Sequence, residues 1–484
     1  MDVREVSLYN RNVTQTALHE ARSKTAKQYP VFILSAFCIG MMSFSYSLIR
    51  AIKQPIDFDA TGYVWLSKII IGYEPSQFDP QHLNLLLNIR QMGYPILISP
   101  FVALNSSDVA LRVSVSIAQL VIYLVACVFV YRAILLMFEK RTATAVLAIL
   151  FAVPFPYFYI TEVLADSFSL SFAMIAISSA CICVGLVGEE KSKKWYVIAL
   201  LATALAMSIR KDNQYVGLIC FASGIFFWRY LFQASMKFAK NRYINVFTAV
   251  ASLLSVSLAV ISFRIPNWVI TRRFLGTGSL EPPGYIDSET FVRSGLQIIK
   301  YFTITGDYGG SVVTSNPFID QQKLASLDQA WHYYLLHPLD SFSSITTKLF
   351  ALIDWDVPFA FNNNSLESAP GWLSLINYFL VANGLLGLIF FLHRFGKSKK
   401  RESSDLFLVV SGVLFLHYLA IHTLSHVEVR YGLPLLQLIS ISAGIFLVVL
   451  RDKKRLIVFQ FLVLMTWVPF SFIVSDWIRD QIVI

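Results

Sequence analysis

Charge is what this chain has least of. Of its 484 residues only 14% are Asp, Glu, Lys or Arg while 56% are hydrophobic, and segments such as 31–47 and 431–450 carry no charge over helix length. A water-facing fold does not tolerate such runs, so a soluble enzyme and a disordered scaffold are both excluded. Cysteine is scarce as well. The five, Cys38, Cys127, Cys181, Cys183 and Cys220, all fall inside apolar segments, which leaves neither a disulfide framework nor a zinc spacing and makes them small core hydrophobes. Acidic residues number 30 against 40 basic ones. The basic residues stand in short clusters between apolar segments, which is the footprint of the positive-inside rule and not of nucleic-acid binding. No internal repeat, low-complexity tract or inverted hydropathy symmetry is present.

Apolar runs long enough to cross a bilayer fall near 31–51, 109–138, 142–160, 164–187, 195–209, 213–232, 243–265, 371–393, 405–424, 431–450 and 455–474. The fold class expected is an all-α integral membrane protein with about eleven transmembrane helices and two larger exoplasmic loops carrying surface helices. A cytoplasmic segment, 1–30, precedes a single polytopic domain, 31–484. The first run is too long for a signal-peptide core and reads as a retained anchor. With a cytoplasmic N-terminus, one side collects Lys140 and Arg141, Lys191 to Lys194, Arg229 to Arg242, Arg394 to Arg401 and Arg451 to Arg455. The other side receives the loops 52–95 and 266–370, where Lys and Arg are sparse for their length. The stretch Val64 to Ile71 suits a helix lying along the membrane surface.

Titratable residues gather at the expected outer helix ends: Asp57, Asp59, Glu162, Asp166, Arg210, Lys211, Asp212, His422, His426, Glu428 and Arg430. Charge at that depth is costly unless paired or working, so one outward-facing polar crater is expected. Each residue taken singly is also an ordinary helix cap or headgroup contact. The Asp57-Phe58-Asp59 spacing suits a carboxylate pair that holds a divalent cation, or one base with an electrostatic neighbour. Asp59 and Tyr63 share a face if a helix starts there, and Asp59 is equally an N-cap candidate. A carboxylate base beside cations such as Arg210, Lys211 and Arg430 is what transfer from a phosphate-linked donor to a hydroxyl needs. Arg112 stands apart inside the second span, close enough to its outer boundary to snorkel.

The run Asp59-x-x-x-Tyr63-x-x-x-Ser67-x-x-x-x-Gly72, followed by Arg90-x-x-Gly93-Tyr94-Pro95, resembles the first outer loop of the GT-C superfamily of polytopic membrane glycosyltransferases. The likeness is to the group containing protein O-mannosyltransferases, the lipid A aminoarabinose transferase and lipopolysaccharide-core glycosyltransferases. Pro154 with Thr161-Glu162-Val163-Leu164 is similar to the second outer loop, and Ser208-Ile209-Arg210-Lys211 to the end of the fifth span. His337-Pro338 ahead of Lys348 and Trp355 resembles the surface helix of the large loop. Glu428-x-Arg430-Tyr431-x-x-Pro434 resembles the Arg-Tyr-x-x-Pro segment. Ser67 departs from the pattern, where a small Ala is usual.

The resemblance implies transfer of a hexosyl or pentosyl unit from a polyprenyl-phosphate donor to an acceptor hydroxyl, with inversion, in cell-envelope glycan or glycoprotein assembly. It implies Asp59 as base, with Asp57 and Glu162 as further catalytic acids. Tyr63, Arg210, Lys211, Glu428, Arg430 and Tyr431 are then substrate-binding. The acceptor would be a lipid-linked glycan, a polysaccharide or a protein; nucleic acid is not a partner. A divalent cation, Mg or Mn, held by Asp57, Asp59 and Glu162 is compatible with the pattern and not required by it. The implied location is a bacterial plasma (inner) membrane with the site exoplasmic. With no soluble module after the last span, oligosaccharyltransferase and arabinosyltransferase types carrying C-terminal modules are disfavoured. A lipid-linked glycan flippase, which would place ionisable residues at the bilayer midplane, and an O-antigen ligase or polymerase remain the alternatives. The pair His422 and His426 has zinc spacing without a third ligand. His332 and His337 share no face, and Asn105-Ser106-Ser107 and Asn363-Asn364-Ser365 are glycosylation patterns too common to weigh.

Overall fold

The computed structural model describes residues 30–53, 55–56, 59–73, 91–105, 107–186, 190–210, 213–235, 246–262, 301–303, 311–313, 318–319, 326–354, 371–395, 403–424, 429–451 and 453–480. Helices dominate them. In chain order these are α1 (Pro30–Ala51), α2 (Asp59–Ile70), α3 (Gly93–Leu104), α4 (Asp108–Met137), α5 (Lys140–Ala152), α6 (Phe155–Ile160), α7 (Ala165–Gly185), α8 (Lys191–Ile209) and α9 (Gln214–Ser235). There follow α10 (Val246–Ser262), then α11 (Leu327–Leu336), α12 (Pro338–Ile353), α13 (Gly371–Phe395), α14 (Ser403–Leu424), a 3-10 turn (Val429–Gly432), α15 (Leu433–Arg451) and α16 (Lys454–Asp480). One short antiparallel pair, Tyr301–Thr303 with Ser311–Val313, departs from the all-α expectation.

Every apolar run marked in the sequence lies on a helix. Among the described residues seven of these helices are long and apolar enough to cross a membrane: Pro30–Ala51, Asp108–Met137, Ala165–Gly185, Gln214–Phe232, Gly371–Phe390, Arg430–Arg451 and Arg455–Ile478. The protein is a multi-pass helical membrane protein. The run at 142–160 is not one continuous helix, because Pro154 has no N–H to give the carbonyl of Leu150. The helix therefore stops at Ala152 and restarts as α6. Two tyrosines complete the break: Tyr123 donates to the Leu150 carbonyl at 2.9 Å and Tyr157 to that of Phe151 at 2.8 Å. No bulk water is available at membrane depth, so such side chains keep an interrupted helix satisfied.

The segment after α1 is a helix as the sequence suggests, and one of its faces is buried against neighbouring helices. Tyr63, Val64, Leu66, Ser67 and Ile69 of α2 are all buried, and α2 packs on α3, a helix the apolar pattern alone does not mark because it is short. The Ser67 hydroxyl reaches the carbonyls of Tyr63 at 2.8 Å and Pro95 at 3.0 Å, fastening α2 to the start of α3. At Gly93 the start of α3 is pressed against α8. A Cβ there would stand 2.3 Å from the carbonyl oxygen of Ser208, so only glycine fits two residues from Arg210.

Candidate functional site

The start of α4, the 161–164 turn, the start of α7, the end of α8 and the start of α15 meet at one end of the bundle, which brings together residues far apart in sequence. Arg112 pairs with Glu162 at 2.5 Å, both buried. A second guanidinium nitrogen of Arg112 donates to the carbonyl of Pro55 at 2.7 Å. Gln119, two turns further along α4, donates to the carbonyls of Ile160 at 3.0 Å and Glu162 at 2.7 Å, so the Glu162 turn is held by side chain and backbone alike. Thr61 donates to the carbonyl of Ile56 at 2.7 Å. The Asp57–Asp59 stretch is thus bracketed by two anchored carbonyls before it and the buried Ala60 after it. Arg112 does not snorkel as the sequence suggests, because a buried carboxylate partner is in reach.

Four residues after Glu162, Asp166 pairs with Arg210. Its carboxylate lies in the first turn of α7, where the helix dipole favours negative charge. The Arg210 guanidinium lies 4.8 Å from the centre of the Tyr431 ring, and that of Arg430 lies 5.2 Å from the same ring. Asn213 donates to the hydroxyl of Ser169 and to the carbonyl of Ala206, both at 2.7 Å. Asp166, Ser169, Arg210, Asn213, Arg430 and Tyr431 line a polar cleft of about 400 Å³, open solvent included, which His417 and Tyr418 of α14 complete. An apolar cavity of about 620 Å³, counted likewise, adjoins it between α4, α7, α9, α14 and α15 and shares Leu170 and Pro434 as lining.

Tyr63 stands at the border of the two groups. Its ring meets that of Tyr94 edge-on at 4.8 Å, and Tyr94 meets Phe168 of α7 at 5.9 Å. The aromatic chain joins α2, where Asp59 begins, to the helix that carries Asp166. Burial raises the Tyr94 phenol well above its ordinary value, and the neighbouring Tyr63, Asp166 and Glu162 raise it further. It stays protonated.

The sequence singles out Tyr63, Glu162, Arg210, Arg430 and Tyr431, and the structure places all five at this end of the bundle. Asp59 begins α2, with its side chain outside what is described; Asp57, Lys211, Asp212, His426 and Glu428 lie outside the described residues, as does the side chain of His422. Ser169, Asn213, His417 and Tyr418 were not singled out. The signal for Ser169 was present in the run Asp166, Ser167, Ser169, Ser171, an unusual density of polar residues at the head of an apolar helix. For His417 there was none, since one histidine within α14 looks like any other.

Of the carboxylates suggested for a cation, Asp57 and the side chain of Asp59 lie outside the described residues, and Glu162 is paired with Arg112. Among the described residues no group of three His, Cys, Asp or Glu side chains could hold a metal ion. Glu162 and Asp166 are each committed to an arginine, whose charge opposes a second cation.

No protein-family model and no curated protein matches the chain. Among solved structures, it is similar to the Archaeoglobus fulgidus oligosaccharyltransferase tethered to an acceptor peptide containing the NVT sequon. The TM-score is 0.44 at 13% identity, over 91% of this chain and 55% of that one. It is similar to an oligosaccharyltransferase of the same organism in complex with an inhibitory peptide and a dolichol-phosphate, at TM-score 0.43 and 12% identity, over 91% and 56%. A complex with zinc and sulfate gives 0.42 and 11%, over 90% and 52%. The chain spans about half the length of these structures. A likeness of this size assigns no activity to the chain.

Proposed function

We propose that the chain is a membrane glycosyltransferase that moves a sugar from a polyprenyl-phosphate donor to an acceptor hydroxyl on the exoplasmic face, with inversion at the anomeric carbon. The observation that carries this reading is the adjacency of two unlike spaces. A cleft lined by Arg210 and Arg430 and an apolar cavity between helices share Leu170 and Pro434 as lining, an arrangement that suits an amphiphile with an anionic head and an isoprenoid tail.

In the proposed reaction the donor phosphate meets Arg210 and Arg430, whose planar guanidiniums are held beside Tyr431 and suit two-point contact with phosphate oxygens. The acceptor oxygen bonds to the anomeric carbon as the bond from that carbon to the phosphate oxygen breaks. The acceptor proton passes to the carboxylate of Asp59, and the electron pair leaves on polyprenyl phosphate, where the arginines stabilise the returning charge. In this reading Asp57, Lys211 and Glu428 shape the field around this exchange. Glu162, ion-paired to Arg112, acts here as a fixed charge beside the Asp59 turn. The membrane arrangement proposed with it has eleven spans and a cytoplasmic N-terminus, in a bacterial plasma membrane. The acceptor is a lipid-linked glycan, polysaccharide or protein.

The test is incubation of the purified protein with a panel of labelled polyprenyl-phosphate sugars and membrane extract. Transfer of label from one donor to an extractable glycan or protein is the expected result. A donor that binds and crosses a vesicle membrane without transfer would make the protein a flippase, and absence of binding to every polyprenyl phosphate would remove the reading altogether. An impermeant thiol reagent applied to a cysteine placed at Ser315 reports the orientation, with labelling of intact cells expected.

A further inference from the structure

Asn213 decides which way the Ser169 hydroxyl can bond. The Asn213 amide nitrogen lies 2.7 Å from the carbonyl oxygen of Ala206 and 2.7 Å from the hydroxyl oxygen of Ser169. A carbonyl only accepts, so this end of the amide is the NH2 group, which has one hydrogen for each neighbour. The Ser169 oxygen is therefore an acceptor from Asn213, and its own hydrogen is left to give. Nearby serines commit that hydrogen to their own helix, Ser171 to the carbonyl of Ser167 at 2.8 Å and Ser208 to that of Leu205 at 2.8 Å. Among the described residues the one hydrogen bond of the Ser169 side chain is the one it accepts from Asn213. Both side chains are almost wholly buried, Ser169 at 4% and Asn213 at 3% exposure, and both line the polar cleft. A buried hydroxyl hydrogen on the wall of a cleft is costly unless something in the cleft accepts it.

We propose that Ser169 is a phosphate-binding residue, its O–H donating to a phosphate oxygen of the polyprenyl-phosphate head, and that Asn213 is a positioning residue that aims it. The inference rests on the reading of this cleft as the phosphate seat. Ser169 stands one turn after Asp166 on α7, and Asp166 holds Arg210, so hydroxyl and guanidinium belong to the same wall. Arg430 lines the cleft from the 3-10 turn. That turn has no room to retreat, because a Cβ on Gly432 would run into the carbonyl oxygen of Leu352 on α12. Depth favours the phosphate over the sugar as acceptor. Leu170, the next residue, lines both the cleft and the apolar cavity, so Ser169 stands where an anionic head joins an isoprenoid tail. A hydroxyl there adds a charge-assisted bond without a further charge to bury, and the bond strengthens as the leaving phosphate takes up the electron pair.

The experiment measures binding of polyprenyl phosphate, and of the uncharged polyprenol of the same length, to the full chain in phosphatidylcholine nanodiscs. Ser169→Ala should weaken binding of the phosphate lipid about tenfold or more and leave polyprenol binding unchanged. Ser169→Cys, close in size and a weaker donor, should move the same way by less, and it keeps the test open if Ala disturbs α7. Asn213→Ala leaves the hydroxyl without its guide and should cost less affinity than Ser169→Ala. The double variant should bind like Ser169→Ala alone, because Asn213 acts through Ser169; additive losses would overturn the positioning role. Equal weakening of both lipids by Ser169→Ala would make Ser169 a packing element and overturn the proposal. Unchanged phosphate affinity in Ser169→Ala, with the parent binding, would overturn it and leave the proposed function standing. Absence of phosphate-lipid binding in the parent would overturn the proposed function and this inference together.

Discussion

Arg112 and Glu162 form a buried ion pair at 2.5 Å, and the same guanidinium holds the carbonyl of Pro55 at 2.7 Å. One side chain therefore holds the backbone at Pro55, after the first helix, to the turn that bears Glu162. Removing one partner leaves the other buried and uncompensated, a cost of about 3–5 kcal/mol. Arg112→Ala should lower the thermal unfolding midpoint of the purified protein sharply. Arg112→Met with Glu162→Leu should recover most of that loss, since a buried pair often stabilises no more than apolar residues of like volume. Equal destabilisation by the single and double variants would show that the Pro55 contact, and not the ion pair, carries the effect.

Asp59→Asn should leave assembly and donor binding intact while transfer falls about a hundredfold or more, because Asn keeps the shape and cannot accept the proton. Asp57→Asn and Glu162→Gln should each reduce transfer by less. As an N-cap Asn serves about as well as Asp, so near-normal transfer by the Asn variant would return Asp59 to a capping role and move the base to Asp57 or Glu162.

Donor affinity tests the arginines. A charge-assisted bond to phosphate contributes about 1.5–3 kcal/mol, so Arg210→Ala and Arg430→Ala should each weaken polyprenyl-phosphate binding by roughly 10- to 150-fold. Arg210→Ala also frees Asp166 beside the phosphate and should be the worse of the two. Tyr431→Leu, which removes the ring both guanidiniums lie against, should have a smaller effect on binding of the same sign. Affinity unchanged in both arginine variants would send the phosphate site to the large loop, at Arg272, Arg273 or Arg293.

Lys348 gives a pH dependence. Burial lowers its ammonium from 10.5 to about 7, so between those limits the unfolded chain holds a proton that the folded chain has released. Unfolding takes up a proton in that window, and stability from this group rises with pH from about 7 to about 10.5 and is flat below. Lys348→Met should therefore be more stable than the parent near pH 6, with its advantage shrinking as pH rises. A constant difference in unfolding midpoint from about pH 6 to pH 9 would show that Lys348 does not titrate in this way.

Much of the site could be read from the chain because membrane burial restricts where charge can stand. Glu162, Arg210 and Arg430 are conspicuous as ionisable residues at the edges of apolar runs, and the structure gathers all three at one end of the bundle. Pairing was not legible. That Glu162 answers to Arg112, fifty residues earlier, and that Asp166 answers to Arg210 depend on how α4, α7 and α8 pack, which no local pattern records.

The sequence by itself determined that this is a many-helix membrane protein, since hydropathy over helix length is a local quantity. Only the tertiary structure decided that one face of α2 is buried, that Lys348 of α12 is buried while Leu339 is exposed, and which arginine each acid pairs with. Burial and ion pairing are properties of neighbours brought together from distant parts of the chain. Gly93 against Ser208 and Gly432 against Leu352 show the physical reason: where backbones touch, the partner's position sets the constraint.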